Sequence, residues 1–148
     1  MGLYCTVRVA DLWLGLDVDD VQEVLRPQHV TRVPLADSVV RGLINLRGEI
    51  VTAVDLGRRF GLPDREHEEG PMNVVVRTGD GRAISVLVDS IGDVIEVPET
   101  AFEEPPVTLV GAVRELVKSV CKMQDGLLLI LDTHEATTGT HRRPRSDT

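Results

Sequence analysis

The chain has 148 residues, 42% hydrophobic and 27% charged, a balance that suits one globular domain or two very small units sharing an interface. A formal charge of −8 repels phosphate backbones and anionic lipid, which argues against nucleic-acid and membrane-surface roles. No apolar run approaches the roughly 20 residues of a membrane-spanning helix, and with aromatics at only 3% the core has to be built from Val, Leu and Ile.

The elements read as follows along the chain. A strand near Leu3–Val9 turns through Ala10-Asp11-Leu12 into a second strand, and no charged segment precedes an apolar one in the manner of a secretory signal. Val18, Val21, Val24 and Leu25 then fall at helical spacing, with Asp17 placed to cap them, so a short amphipathic helical turn is expected. A strand ending at Pro34 leads into the stretch "RGLINLRGEIVTAVDL" (Arg41 to Leu56), whose two apolar arms flank Arg47-Gly48 as a hairpin. The proline-bounded, charged segment "PDREHEEGP" (Pro63 to Pro71) reads as a linker, in which His67, like His29 earlier, is expected to be a solvated loop residue.

Beyond the linker the pattern repeats. "LGLDVDDVQEVL" (Leu14 to Leu25) aligns without a gap on "ISVLVDSIGDVI" (Ile84 to Ile95), and "VRGLINLRGEIVTAVD" (Val40 to Asp55) on "VKSVCKMQDGLLLILD" (Val117 to Asp132). The helical turn of the second copy contains Gly92 and is expected to be weaker. Two copies of five short strands with one helical turn predict an all-β fold of two small barrels, a first over roughly 3–62 and a second over 72–137, with the linker at 63–71 and a disordered tail at 139–148. Units this small need a common core.

Chemistry is sparse. Cys5 and Cys121 lie in strand-like runs and read as buried free thiols, and the four scattered histidines form no metal-ligand spacing. Asp55 and Asp132 each end an apolar strand, an arrangement reminiscent of the paired carboxylates of aspartic proteases, which would make the chain a hydrolase. That motif requires Asp-Thr/Ser-Gly, however, and the chain offers "DLG" and "DTH"; the plainer reading has each Asp bonding local backbone amides at its strand end. Comparing the two copies separates fold from specialisation. Val18 matches Val88 and Val21 matches Ile91, whereas Gly42 faces Ser119, Asn45 faces Lys122 and Arg47 faces Gln124. The barrel unit therefore does not require Arg47, which is either a solvated turn residue or a planar donor fork for a partner.

The series "VDDVQEVL … VTRVP … VVRGLINLRGEIVTAVDLGRRFGL", supported by "VVVRTGDGRAISVLVDSIGDVIEV" in the second half, resembles the CheW-like family, the coupling proteins of bacterial chemosensory arrays. The resemblance spans about residues 3 to 137 and implies two five-stranded SH3-like barrels about a pseudo-two-fold axis, within one domain over 1–138. It implies a cytoplasmic scaffold without catalytic activity or cofactor, contacting a chemoreceptor's cytoplasmic tip and the regulatory domain of a CheA-type histidine kinase. Carried over by position, Val18, Val21 and Glu23 match partner-contact positions, and Gly42, Asn45 and Arg47 match the hairpin signature.

Overall fold

The computed structural model describes residues 2–138, and the tail expected at 139–148 lies outside them. The first half contributes β1 (Gly2–Val9), β2 (Leu12–Asp17), a 3₁₀ turn at Val18–Asp20, β3 (Val21–Leu25), β4 (Val40–Leu46), β5 (Glu49–Asp55) and the one-turn helix α1 (Leu56–Arg59). The second half contributes β6 (Met72–Arg77), β7 (Ala83–Val88), β8 (Ser90–Val97), β9 (Phe102–Glu103), α2 (Gly111–Leu116), β10 (Val117–Met123), β11 (Gly126–Leu131) and α3 (Thr133–Thr137). Among the described residues no helix is long and apolar enough to cross a membrane.

The strands make two sheets, in the orders β8-β1-β2-β11-β10-β9 and β3-β6-β7-β5-β4. They are the two five-stranded SH3-like barrels, with β9 a two-residue addition to one edge. When each strand is replaced by its copy in the other half, one order turns into the other, which defines the pseudo-two-fold relation. The same orders correct the expected division at 3–62 and 72–137. Each sheet takes the first two strands of one half and the last three of the other, joined by the parallel pairs Leu14↔Leu129 and Thr52↔Ile84. Burial explains this exchange. Every residue of β7 is buried, so it needs neighbours on both sides, and β6 supplies only one of them in antiparallel fashion. The last strand of the other half, β5, supplies the second.

Alternation along the strands then sorts the side chains. Val7, Val9, Leu14 and Leu16 of one sheet meet Val74, Val76, Ile84 and Val86 of the other in one cluster shared by both halves. Tyr4, Val97, Cys121, Leu128 and Ile130 fill the first barrel separately, and Leu46, Val51, Val75 and Ala83 the second. Both cysteines are free and buried, and burial pushes their thiols up in pKa.

Two local expectations change. Asp17 does cap a turn, accepting from the Asp19 amide at 2.9 Å, but helix ends at Asp20 and Val21–Leu25 is extended. The valines that suggested a helical stripe alternate instead between half-buried and exposed, as β-branched residues on a pleated strand do. Its copy β8, which contains Gly92, is likewise a strand. His67 is not a solvated loop residue: its Nε2 lies 2.7 Å from Asp89 Oδ1, beside Arg65, whose Nε and Nη2 donate to the same carboxylate at 2.7–3.0 Å. The Ala10 amide adds a bond of 2.7 Å. Burial pushes the Asp89 carboxyl up, but these donors outweigh it and hold its pKa at about 2. The linker is thus strapped across the junction of β1–β2 and β7–β8, with the Arg65 guanidinium so close over Gly57 that a Cβ there would meet it at 2.5 Å.

Candidate partner-binding surface on the first hairpin

The β4–β5 hairpin closes with a two-residue turn in which Arg47 has φ 52° and Gly48 φ 89°. Positive φ at both central residues is the requirement of a type I′ turn, usually met by Asn-Gly because a longer side chain is strained there. Asn45 holds the turn from outside, its Oδ1 accepting from the Gly48 amide at 3.0 Å. The copy at Gln124-Asp125 is built differently: neither residue has positive φ, and Gly126 takes φ 136° instead. The two hairpins therefore part in backbone as well as in side chains.

From this strained position the Arg47 guanidinium reaches Glu23, donating through Nη2 to Oε2. β3 and β4 are the two outer strands of their sheet, so this exposed pair spans its two edges. The hydrogen bond from Arg47 is the main cause lowering the Glu23 pKa, and the same bond raises that of Arg47. Arg47 remains 65% exposed, presenting the rest of its donor fork to solvent. Aliphatic surface accompanies it: Ile50, opposite Asn45 in the ladder, is 61% exposed, and Val24, next to Glu23, 46%. Neither was singled out from the sequence, though Ile50 stands on the outward phase of "EIVTAVD", where a polar residue is the ordinary choice.

Of the remaining residues of the expected set, Gly42 has other work. Gly42 is buried at a bulge in β4, with φ 152°; a Cβ there would lie 2.1 Å from the Thr31 carbonyl oxygen. It lets Thr31 and Leu43 exchange two backbone hydrogen bonds of 2.8 Å each, the counterpart of the β9–β10 pairing. This is a close approach of two backbones, not an exposed contact. Val21 packs half-buried against the shared core, and Val18 is half-buried at the edge of a shallow cleft with Tyr4 and Phe102.

A CheW-like domain model matches residues 3–139. The chain belongs to the CheW-like family. Curated members similar to it include the chemotaxis protein CheW of Treponema pallidum, 28% identical over 133 residues that cover 88% of this chain and 78% of that protein. The chemotaxis protein CheW of Bacillus subtilis is 29% identical over 120 residues, covering 81% of this chain and 76% of its own. Protein FrzA of Myxococcus xanthus is 32% identical over 100 residues, 67% of this chain and 61% of FrzA. In three dimensions the crystal structure of the scaffolding protein TtCheW from Thermoanaerobacter tengcongensis superposes with a TM-score of 0.84 at 26% identity, covering 97% of each chain.

Within this CheW-like fold the two aspartates are capping groups. Asp55 Oδ1 accepts from the Arg58 amide at 3.0 Å, and its Oδ2 from Arg41 Nε at 2.8 Å. Asp132 Oδ1 accepts from the Glu135 amide at 3.1 Å. The matching amides of Asp55 and Asp132 bond the Val39 and Leu116 carbonyls, so the pair repeats one structural device. Each carboxylate bonds a local backbone amide, as the plainer reading of the sequence expected, and that amide belongs to a short helix the sequence did not announce; no hydrogen bond joins the two aspartates among the described residues.

Proposed function

We propose that this chain is a non-catalytic cytoplasmic adaptor that couples the cytoplasmic tips of chemoreceptors to the regulatory domain of a CheA-type histidine kinase. The observation that carries the reading is Arg47. It occupies a backbone position that strains it, on a turn whose fold needs are met by Asn45 and Gly48, and it stays exposed while Glu23 fixes its direction. A side chain kept where it strains the turn serves contact rather than folding. Glu23 then acts as a positioning residue, and Val24 and Ile50 add apolar surface at the rim. Val18 and Val21, half-buried in the 3₁₀ turn and at the start of β3, are proposed as further contact positions.

The test is calorimetry of Arg47→Asn, which suits the positive φ, and of Gln124→Ala in the other hairpin, each titrated with the kinase regulatory domain and with a receptor-tip fragment. Arg47→Asn is expected to weaken at least one partner by roughly 30-fold or more, in the range of arginine hot spots, while Gln124→Ala leaves both intact. Equal and negligible losses for the two variants would overturn the proposal. A melting midpoint of Arg47→Asn at or above that of the parent shows that the loss is one of contact.

A further inference from the structure

The exposed aliphatic pair beside Arg47 occurs twice in the molecule. Val24 matches Val94, 57% exposed, and Ile50 matches Leu127, 41% exposed, so the partner face of the five-stranded sheet has a copy on the six-stranded one. The charge differs. Asp93 stands at the place of Glu23, but Gln124 and Asp125 stand at the places of Arg47 and Gly48, so this copy keeps the acceptor without its arginine. β9 pairs with β10 only at Val120 and Cys121, which leaves the hairpin tip facing β8, the outer strand at the other edge. Between tip and edge lies a cleft of about 460 Å³, with Trp13, Ile95 and Met123 as its apolar lining and Asp93, Gln124 and Asp125 as its polar side. The buried Thr6 hydroxyl donates to the Asp93 carbonyl at 2.7 Å and pins that stretch of β8. Arg8 also lines the cleft, but its guanidinium carbon rests 5.3 Å from the Trp13 ring centroid, and among the described residues it bridges to neither aspartate.

We propose that this cleft receives an arginine side chain from a partner protein, its guanidinium on Asp93 and Asp125 and its aliphatic stem against Ile95 and Met123. The five-stranded sheet supplies the template: there the matching edge residue, Glu23, already accepts a guanidinium at the hairpin tip. Exposed carboxylates by themselves mark only a solvated rim. Here the acceptor occupies the position that holds arginine in the other half, and the aliphatic pair that accompanies it is repeated. A planar fork with five donors serves two carboxylates at once, which the compact ammonium of lysine does less well. Arg47 of a second copy is a poorer source, because Glu23 already holds it. The chain thus has one face that offers a guanidinium and one that takes it, and the two faces select different partners. The assignment rests on the adaptor reading only for expecting a protein to supply the arginine.

The experiment uses the full chain and two peptides, acetyl-Leu-Arg-Leu-amide and its citrulline analogue, which keeps the shape and loses the charge. Trp13 is the single tryptophan of the chain, so its emission reports this cleft directly, and amide NMR locates the contact. At about 10 mM, within reach of the millimolar Kd of a small contact, the arginine peptide should shift the Trp13 emission and the Asp93, Gln124 and Asp125 amides. It should bind roughly tenfold more tightly than the citrulline peptide. Asp93→Asn combined with Asp125→Asn should erase that discrimination at an unchanged urea midpoint, and Arg8→Ala should tighten the arginine peptide by removing a like charge. Arg47→Asn should leave the whole response in place, so this cleft and the Arg47 face succeed or fail separately. Equal responses to the two peptides, or emission and cleft amides that stay put, would overturn the assignment. So would shifts spread evenly over the acidic surface and removed by about 0.3 M salt, which signal diffuse charge. Dimerisation of the parent in sedimentation, abolished both by Arg47→Asn and by the paired aspartate change, would overturn it in favour of a second copy.

Discussion

Replacing Gly42 by alanine is the sharpest test of the close approach between β4 and the Thr31 backbone. The added Cβ would stand 2.1 Å from the Thr31 oxygen, 2.7 Å from its carbonyl carbon and 2.8 Å from Val30 Cγ1, and backbone at that range cannot yield as a flexible side chain does. Thr31 has to withdraw by about 1 Å, which breaks its two bonds to Leu43; at about 1 kcal/mol each they account for about 2 kcal/mol. A non-glycine residue at φ 152° adds about 1 to 3 kcal/mol of backbone strain. The sum, about 3 to 5 kcal/mol, is a large part of the 5 to 15 kcal/mol typical of a folded domain. With a urea slope of about 2 kcal/mol/M, the midpoint should fall by roughly 2 M. Urea titration followed by far-UV circular dichroism and by the fluorescence of Trp13 measures it. Ser119→Ala, at the matching position of the other barrel, should leave the midpoint nearly unchanged. A Gly42→Ala midpoint within about 0.3 M of the parent would refute the steric argument.

Other outcomes follow from the same geometry. Asp89 has its folded pKa depressed to about 2 against an ordinary 3.8, so its contribution is present above about pH 4 and is lost as pH falls through 2. Asp89→Asn should remove up to about 2 kcal/mol at pH 6 and flatten the pH dependence between 4 and 2, read from urea midpoints at several pH values. Asp132→Ala should cost about 1 kcal/mol as a lost cap, and Asp55→Ala about 2 to 3 kcal/mol because Arg41 also loses its partner, both measured by thermal melts. Fragments 1–70 and 71–148 should each fail to fold alone by circular dichroism, yet regain strand signal when mixed; a stable, monomeric 1–70 would contradict the exchange of strands between halves.

Much of this was legible in the sequence. The duplication, the Arg47-Gly48 hairpin, the cap at Asp17 and the local amide bonds of Asp55 and Asp132 rest on local chemistry, which spacing reports directly. Strand partnership does not. Apolar alternation shows that β2 and β11 are strands with a buried face, but the choice of partner is made by which edges are left open once the shared core assembles, and no local pattern records that. The same limit hid the Glu23–Arg47 pair, because those residues meet only when the outer strands of a curved sheet approach each other. Val18 to Leu25 was misread for another reason: the three-residue spacing of Val18, Val21 and Val24 matches the helical period, whereas on the β-branched strand Val21 and Leu25 take the half-buried phase and Val24 the exposed one. Gly42 was read as part of a contact signature, and its purpose became visible only with Thr31 beside it.

The exchange of strands between halves also bears on the order in which the chain can be built. During synthesis β2 leaves the ribosome well before the strand that flanks it, β11. Leu14 and Leu16 therefore stay wet until residues 126–131 are available, and closing that gap requires the loss of entropy of a loop spanning most of the chain. Folding of the domain consequently waits for its second half, with a rate governed by long-range closure rather than by the speed of its hairpins.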